Sequence, residues 1–312
     1  MTTKTTEASG SPDPPAGAAS RRKRFSPGTA EHALTGLKLD ALHLVAESRF
    51  LSTAHVEVMM GWSEKTARGH LRDLYDLGLT DRLPVAGALL GTKALLSHNV
   101  HYPTARGLKA LERVGMLPDG PRRRTDLRPS GYLAHELAVR DVLAWLTASA
   151  RSAGHRVEKW DCSESLDAFG VRPDAAFAYR VAEPGPSDTG SVLAGLVEVD
   201  RGTERSASGR SDRWARKIDA YARLFSPEEK ERMRALTGYR NAVLLVTVPD
   251  RARGNWIGKR IEGTAMDRFT LVAVHSELLS PKDKDGKRPP VPDVYAPLWE
   301  DHSGRLRPLL RR

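Results

Sequence analysis

The order of helices and strands after residue 131 is the feature that most restricts the fold of this chain. Apolar positions three and four residues apart predict helices, and short apolar runs between turn signals predict strands. In chain order these patterns predict a helix over 132–151, strands over 157–161, 173–181 and 192–200, a helix over 211–225, a strand over 242–248, a helix over 255–266 and a strand over 269–274. An order that begins αβββαβ places helices on the faces of one sheet, so the sequence predicts an α/β domain with a mixed sheet.

Residues 37–115 show a different pattern, with short helices first and strands second. Apolar periodicity predicts helices over 37–50, 52–61 and 64–76. Ser63 has a side chain that can cap the third helix, and Gly78 is of the type that ends one. Two strands follow, over 79–85 and 97–102, and Thr104 begins a fourth helix. Three short helices and a strand pair are the skeleton of a winged helix-turn-helix, which the pattern favours over a generic helical bundle.

The third of these helices separates an apolar face from a basic one. Ala67, Leu71 and Leu74 have the spacing of residues that pack inward. A recognition helix presents small polar and basic side chains to a DNA groove. We therefore predict that five residues of this helix contact DNA, namely Ser63, Lys65, Thr66, Arg68 and Arg72. The alternative is an ordinary solvated helix face.

The two patterned regions imply two domains with a linker and two tails. Residues 1–30 are rich in Ser, Thr, Pro, Gly and Ala and include a basic run at 21–24, which predicts a disordered basic tail. Residues 31–117 are the expected DNA-binding domain, 118–130 a linker dense in Pro and Arg, and 131–280 the α/β domain. A Lys- and Pro-rich segment over 281–312 is expected to be a loose C-terminal tail.

The charge balance indicates what the chain binds. Its 49 Lys and Arg outnumber its 39 Asp and Glu, for a formal net charge of +10. This surplus favours a polyanionic partner, double-stranded DNA first, over a basic protein without one. The single cysteine, Cys162, excludes an internal disulfide and a thiolate zinc cluster. No apolar run is as long as the roughly 20 residues that a membrane helix needs, so we expect a cytoplasmic protein with no membrane partner.

The segment GLVEVDRGTE, residues 195–204, begins as a buried strand and ends in three acids. If the strands over 173–181 and 192–200 form a hairpin centred on residue 187, Asp174 pairs with Asp200 and Ala176 with Glu198. Side chains alternate along a strand, so Asp174, Glu198 and Asp200 are expected on one face at one end of the sheet. Close carboxylates repel one another unless a cation lies between them, and oxygen ligands suit Mg²⁺ or Mn²⁺. We predict such a metal site; the alternative is a solvated acidic rim paired with nearby arginines.

Two of these acids belong to a motif that resembles a known one. Pro173-Asp174 followed by Glu198-Val-Asp200, in αβββαβ order, resembles the PD-(D/E)xK nuclease superfamily. The resemblance implies that Asp174 and Glu198 bind a metal ion and that a lysine two residues after the glutamate assists the attacking water.

The sequence departs from this nuclease motif at the lysine, where it has Asp200. Lys217, on the following helix, is expected to supply the ammonium from another direction. Glu136, on the first helix of the domain, is a candidate fourth carboxylate, and we assign both Lys217 and Glu136 as candidate catalytic residues. The neighbouring His135 is expected to pack or cap rather than act as a base.

Residues 37–279 as a whole resemble the replication-relaxation family of plasmid proteins from high-GC bacteria. The resemblance is carried by the predicted winged helix and by the motifs LAHELAV at 133–139, RPDA at 172–175, EVDRGTE at 198–204 and KIDAY at 217–221. It implies a role in plasmid replication and in the relaxation of plasmid DNA.

Three functions remain open at this point. The main hypothesis is a DNA-binding protein of plasmid replication, relaxation or mobilisation with a nuclease-like domain. The alternative is a divalent-metal-dependent DNA nickase or nuclease. A second alternative is a winged-helix transcription regulator whose second domain binds a small ligand. Asp200, in place of the motif lysine, leaves open whether the second domain cuts DNA.

Overall fold

The computed structural model describes residues 34, 36–84, 99–117, 132–161, 166, 169–182, 190–202, 213–238, 242–279 and 288–311. The predicted tail at 1–30, the loop between the first two predicted strands and the predicted linker at 118–130 lie outside these residues. Cys162 and Glu204 also lie outside them.

The N-terminal part of the described chain packs short helices against a small antiparallel sheet. Its elements are α1 (Leu37–Glu47), β1 (Leu51–Ser52), α2 (Thr53–Met60), α3 (Glu64–Asp76), β2 (Thr80–Pro84), β3 (Asn99–Pro103) and α4 (Ala105–Arg113). The sheet has the order β1-β3-β2, and Leu42, Leu74 and Leu111 meet in the core at 0% exposure. The predicted helices and the strand pair are confirmed. Strand β1 was missed because two residues are too few to show an alternating pattern.

Side-chain caps explain where these helices begin. The Ser63 hydroxyl accepts a hydrogen bond from the Thr66 amide at 3.1 Å, and Thr104 accepts one from the Gly107 amide at the same distance. At the start of α2, Ser52 and His55 each accept from the other's backbone amide at 3.2 Å. Such caps satisfy amide groups that have no partner inside the helix.

The second part is an α/β layer structure around one sheet, as predicted. Its elements are α5 (Leu133–Ala153), β4 (Arg156–Asp161), β5 (Ala175–Arg180), β6 (Val192–Val199), α6 (Arg213–Leu224), α7 (Lys230–Thr237), β7 (Val243–Val248), α8 (Arg251–Ile261), β8 (Thr270–Val274), α9 (His275–Leu278), β9 (Trp299–Glu300) and β10 (Leu306–Arg307). The seven-stranded sheet has the order β10-β9-β8-β7-β6-β5-β4. Strands β4 to β6 are antiparallel, β6 to β8 are parallel, and β9 returns antiparallel to β8. The mixed sheet is therefore confirmed.

Helices cover both faces of this sheet. Helix α5 packs on one face, where its Trp145 joins Phe177 and Val197 in one apolar cluster. Helices α6 and α8 pack on the other face, where Trp214 and Ile257 join residues of β6 and β7 in a second cluster. Because side chains alternate, the even-numbered residues at the end of β6 point toward α6 and α8.

The register of the β5–β6 hairpin differs from the prediction by two residues. Ala176 pairs with Leu196 rather than with Glu198, and Phe177 pairs with Gly195. The Phe177 ring lies over Gly195 so closely that a Cβ at residue 195 would be 2.1 Å from two ring carbons. Only glycine leaves room for that ring, and this fixes the register. A shift of two keeps every side chain on its predicted face but moves Asp174 away from its predicted partner, Asp200.

The expectation of a loose C-terminal tail is wrong for residues 288–311. Strands β9 and β10 extend the sheet, and Val294 and Trp299 are at 0% exposure. The Trp145 indole and the Ser149 hydroxyl both donate to the carbonyl oxygen of Pro292, at 2.8 and 2.9 Å. Lys and Pro content dominated the prediction, whereas widely spaced apolar residues determine the packing. Residues 281–287 lie outside the described chain.

The two predicted domains share a core through α5. Residues of α2 and α5 belong to the same apolar cluster, and two arginines of α5 reach the ends of N-terminal helices. Arg140 is 2% exposed and donates to the Ser48 carbonyl at 3.3 Å, while Arg151 donates to the Val58 carbonyl at 3.1 Å. Cations are favourable at helix C-termini, so these contacts hold the N-terminal helices against α5.

No helix within the described ranges has the length and apolar content needed to cross a membrane.

Candidate functional site

Helix α3 carries an exposed cationic face, as predicted. Ala67, Leu71 and Leu74 are buried, whereas Lys65, Arg68 and Arg72 are exposed. Arg68 pairs with Glu64 at 2.5 Å and Arg72 with Asp76 at 3.7 Å, and the two arginine side chains are 65% and 59% exposed. Ion pairs this exposed contribute about 0–1 kcal/mol, so they compete weakly with an incoming phosphate.

The two small residues predicted to contact DNA lie at the N-terminal end of the same helix. The Ser63 and Thr66 hydroxyl groups are 2.8 Å apart, and Ser63 also caps the helix. Their first role is therefore to start α3. The N-terminal end of a helix favours anions because its amide groups and dipole are positive.

A second group of polar side chains lies where β6 ends and β5 begins. This polar cluster consists of His135, Asp174, Glu198, Lys217 and Tyr221. Glu198 is 1% exposed and accepts hydrogen bonds from the Lys217 ammonium and the Tyr221 hydroxyl, both at 2.7 Å. Asp174 contacts the His135 Nε2 at 2.9 Å and accepts from the Val199 amide at 2.7 Å. Helix α5 supplies the histidine, and α6 supplies the lysine and tyrosine.

Burial opposes the charge on Glu198. Burial, and to a smaller degree the negative charge of Asp174, raise the pKa of Glu198 to about 7, although the Lys217 ammonium acts in the other direction. Both of its partners donate hydrogen bonds, which is the arrangement that an ionised carboxylate accepts. Burial and the nearby Glu198 also raise the pKa of Tyr221, which keeps that hydroxyl protonated as a donor.

His135 balances Asp174 as Lys217 balances Glu198. The hydrogen bond to Asp174 raises the pKa of His135 above its usual value, although burial works against this. The His135 and Lys217 side chains are 31% and 30% exposed, whereas Asp174 is 19% and Glu198 1% exposed. The cluster therefore exposes its two basic side chains, His135 and Lys217, more than its two carboxylates.

Asp200 lies at the same strand end but has different partners. It is 4% exposed, and its carboxylate accepts from the Gly202 amide at 2.7 Å, the Trp214 indole at 2.8 Å and the Arg253 guanidinium at 2.7 Å. Arg253, on α8, is itself 8% exposed. These contacts, which we call the Asp200 clamp, tie α6 and α8 to the end of β6.

The structure brings together some of the predicted site residues and separates others. Asp174, Glu198 and Lys217 belong to the polar cluster, whereas Asp200 is engaged in its clamp. Within the described chain, the Glu136 carboxylate makes no hydrogen bond to a residue of the polar cluster. Its backbone carbonyl oxygen accepts a hydrogen bond from Arg140 at 3.2 Å. His135 was expected to pack or cap rather than act as a base; the structure adds that its Nε2 lies 2.9 Å from an Asp174 carboxylate oxygen.

The prediction missed Tyr221 as a partner of Glu198, although the sequence contained a signal for it. Lys217 and Tyr221 are four residues apart, so they share a helix face and reach the same carboxylate. Nothing comparable marked His135, whose partner lies 39 residues away in sequence.

The three carboxylates predicted to bind a metal ion meet the requirements of a Mg²⁺ or Mn²⁺ site only in part. Asp174 and Glu198 supply the oxygen ligands that Mg²⁺ or Mn²⁺ prefers. Glu198 is already paired with the Lys217 ammonium and Asp174 with the His135 ring, and Asp200 accepts from three donors. Among the described residues, no group of three or more His, Cys, Asp or Glu is arranged to hold a metal ion. The three-carboxylate metal site stays a prediction.

Comparison with known proteins places the chain in a family. No curated protein and no solved structure matches it. A family model described as replication-relaxation matches residues 42–238, from the middle of α1 to the end of α7. That match covers both the cationic face of α3 and the polar cluster. The chain therefore belongs to the replication-relaxation family.

Proposed function

We propose that this chain is a double-stranded DNA-binding protein of plasmid replication, relaxation or mobilisation, with a winged helix and a nuclease-like second domain. The observation that carries the proposal is the cationic face of α3, where Lys65, Arg68 and Arg72 are exposed beside a capped helix N-terminus. Family membership supports the connection with replication and relaxation.

The order of elements supports a winged helix. Helices α2 and α3 follow each other through a short turn at Gly61, which has a φ of 67°. Strands β2 and β3 then form an antiparallel pair directly after α3, in the position that a wing occupies after a recognition helix. The residues that join these two strands, 85–98, lie outside the described chain. In this arrangement α3 enters the major groove and its cationic side chains contact phosphates and base edges.

To test DNA binding, the affinity for duplex DNA is measured for a variant that lacks two positive charges on α3 and for a control that lacks two positive charges elsewhere. The double variant Arg68→Ala/Arg72→Ala should bind duplex DNA at least about tenfold more weakly than the parent, which corresponds to about 1.4 kcal/mol. The slope of log affinity against log salt should fall by about two, since each lost phosphate contact removes about one released counterion.

The matched control is Lys230→Ala/Lys259→Ala, which changes the net charge equally at two exposed positions on α7 and α8. A folded α3 variant that binds as tightly as this control refutes the assignment of α3, because only overall charge would then matter.

A metal-dependent nickase is the second candidate, and the polar cluster supports it. Asp174 and Glu198 would hold Mg²⁺ or Mn²⁺, with Asp200 as the predicted third ligand. A bound ion of this kind lowers the pKa of water and neutralises charge on a phosphate. The Lys217 ammonium, 30% exposed, would then donate to a phosphate oxygen, and His135 would hold or release a proton at Nε2. Glu136 remains a candidate for which no contact in the cluster is described.

Supercoiled plasmid distinguishes the two candidates. Parent protein is incubated with plasmid in Mg²⁺, in Mn²⁺ and in chelator, and the nicked and relaxed forms are separated by electrophoresis. A nickase converts supercoiled to open circular DNA only with metal, and Glu198→Gln and Lys217→Met both abolish this. Binding of duplex without any conversion is the result expected for a nuclease-like domain that serves as a DNA-binding scaffold, which we favour because Asp174 and Glu198 are already engaged by His135 and Lys217.

A further inference from the structure

One glycine on the cationic face of α3 has no packing role in the described structure. Gly69 lies inside the helix, and a Cβ placed on it meets no heavy atom within 4 Å. Its φ is outside the left-handed region, so its backbone does not require glycine either. After proline, glycine is the least favourable residue for a helix interior.

Two of the other helical glycines within the described ranges have a neighbour that accounts for them. A Cβ at Gly107 would be 2.1 Å from the Leu79 carbonyl oxygen and one at Gly254 3.3 Å from Val272, whereas one at Gly258 would be at an ordinary contact distance, 3.5 Å, from the His302 carbonyl oxygen. Gly69 differs from them because the space beside it is open to solvent. A partner outside the chain is therefore the natural reason for the missing side chain.

The residues around Gly69 indicate the chemistry of that partner. Lys65 and Arg72 are four and three residues from Gly69, so both lie beside it on the helix surface, and Arg68 lies further round on the same side. A surface with three cations along one side of a bare stretch of backbone complements a polyanion that approaches the helix closely. Double-stranded DNA has this chemistry, because an α-helix fits its major groove.

We propose that Gly69 is the point of closest approach between α3 and duplex DNA, and that the missing side chain lets the helix backbone enter the groove. This rests on the proposed DNA-binding function. The cationic neighbours then contact phosphates along the one side of Gly69 on which they lie, while the glycine sets how deep the helix lies.

The test uses substitutions that favour the helix but fill the gap. Gly69→Ala and Gly69→Leu introduce good helix formers of increasing size. The parent first selects duplexes from a random-sequence pool, and the affinity of each variant for the selected duplexes is then measured beside its melting temperature. Gly69→Ala should raise Tm by about 2 °C and weaken binding about tenfold, and Gly69→Leu should weaken binding further. Gly107→Ala, the matched packing glycine, should lower Tm.

Each result decides a separate point. If the parent selects no duplex, the proposed function fails, whatever the variants do. If the parent selects duplexes and both Gly69 variants bind them as tightly, the inference about Gly69 is overturned, and the open face serves some other contact. If Gly69→Ala lowers Tm, the glycine has a structural role and the inference is overturned as well.

Discussion

Replacing Asp200 tests the Asp200 clamp, because the sign of the resulting change in the free energy of unfolding differs between a structural acid and a metal ligand. Asp200 is 4% exposed and accepts hydrogen bonds from three donors, one of them the guanidinium of Arg253, which is 8% exposed. Asp200→Asn keeps the size of the side chain but removes its charge, so a buried guanidinium loses its counterion. An amide group also places N–H donors where the carboxylate accepted one of its hydrogen bonds.

Removing one partner of a buried ion pair costs about 3–5 kcal/mol. We expect the low end for Asp200→Asn, about 3 kcal/mol, because one amide oxygen can still accept a hydrogen bond. With the urea dependence typical of domains, this lowers the unfolding midpoint by about 1 M or more. The measurement is urea unfolding in chelator, followed by tryptophan fluorescence and circular dichroism.

No loss of unfolding free energy is expected for Asp200→Asn if Asp200 belongs to a set of three carboxylates that bind a metal ion. Without metal those carboxylates repel one another, so removing one charge leaves the unfolding free energy unchanged or raises it. A variant as stable as the parent in chelator would therefore falsify the Asp200 clamp and favour the predicted metal site.

Two further variants complete this experiment. Arg253→Met should be destabilised to a similar extent, and the double variant should be more stable than the sum of the single losses implies, because neither buried charge is then left alone. Glu64→Gln is the control for an exposed pair, since Arg68 contacts Glu64 at 2.5 Å but is 65% exposed. It should cost less than about 1 kcal/mol.

The remaining predictions concern the junction of the two parts and the hairpin. Burial alone would raise the pKa of Asp141, but hydrogen bonds from His275 and His55 lower it to about 2. A carboxyl group whose pKa is lower in the folded than in the unfolded protein stabilises the fold above its unfolded pKa of 3.8, and this stabilisation is lost as the pH falls toward 2. Unfolding of Asp141→Asn measured across this pH range should therefore show about 2 kcal/mol less loss of stability on acidification than unfolding of the parent. Gly195→Ala would place a methyl group 2.1 Å from Phe177 ring carbons, so it should cost about 2 kcal/mol or more in urea unfolding, and a variant as stable as the parent would contradict the observed register.

Local patterns were enough to predict most elements, because periodicity and caps act over a few residues. Ser63 and Thr104 begin helices where the sequence placed them, and the apolar strand β7 is buried as expected. The hairpin register was wrong because the turn was located by counting residues, whereas the fit of Phe177 over Gly195 decides it. That contact joins two strands and has no local signature.

The candidate site could also be predicted only as far as local patterns determine it. Asp174 and Glu198 could be placed together because alternation fixes their face even when the register slips by two. The roles of His135 and Arg253 could not be predicted, because each depends on how a distant helix packs against the strand end. Asp200 lies where the resemblance to the nuclease motif implies a lysine, and only the position of α8 shows that it binds an arginine.

The first turns of α5 connect the two candidate sites physically. Leu133 and Leu137 pack with Val100 of the small sheet and with Phe50, which directly precedes it, while His135, between them in sequence, contacts Asp174 in the polar cluster. An α-helix is stiff over such a distance, so the small sheet and the His135–Asp174 contact are joined through one rigid, closely packed element. Under the proposed function, DNA bound through α3 would lie on the part of the chain that α5 joins to the polar cluster, and this connection holds whether or not the cluster breaks a phosphodiester bond.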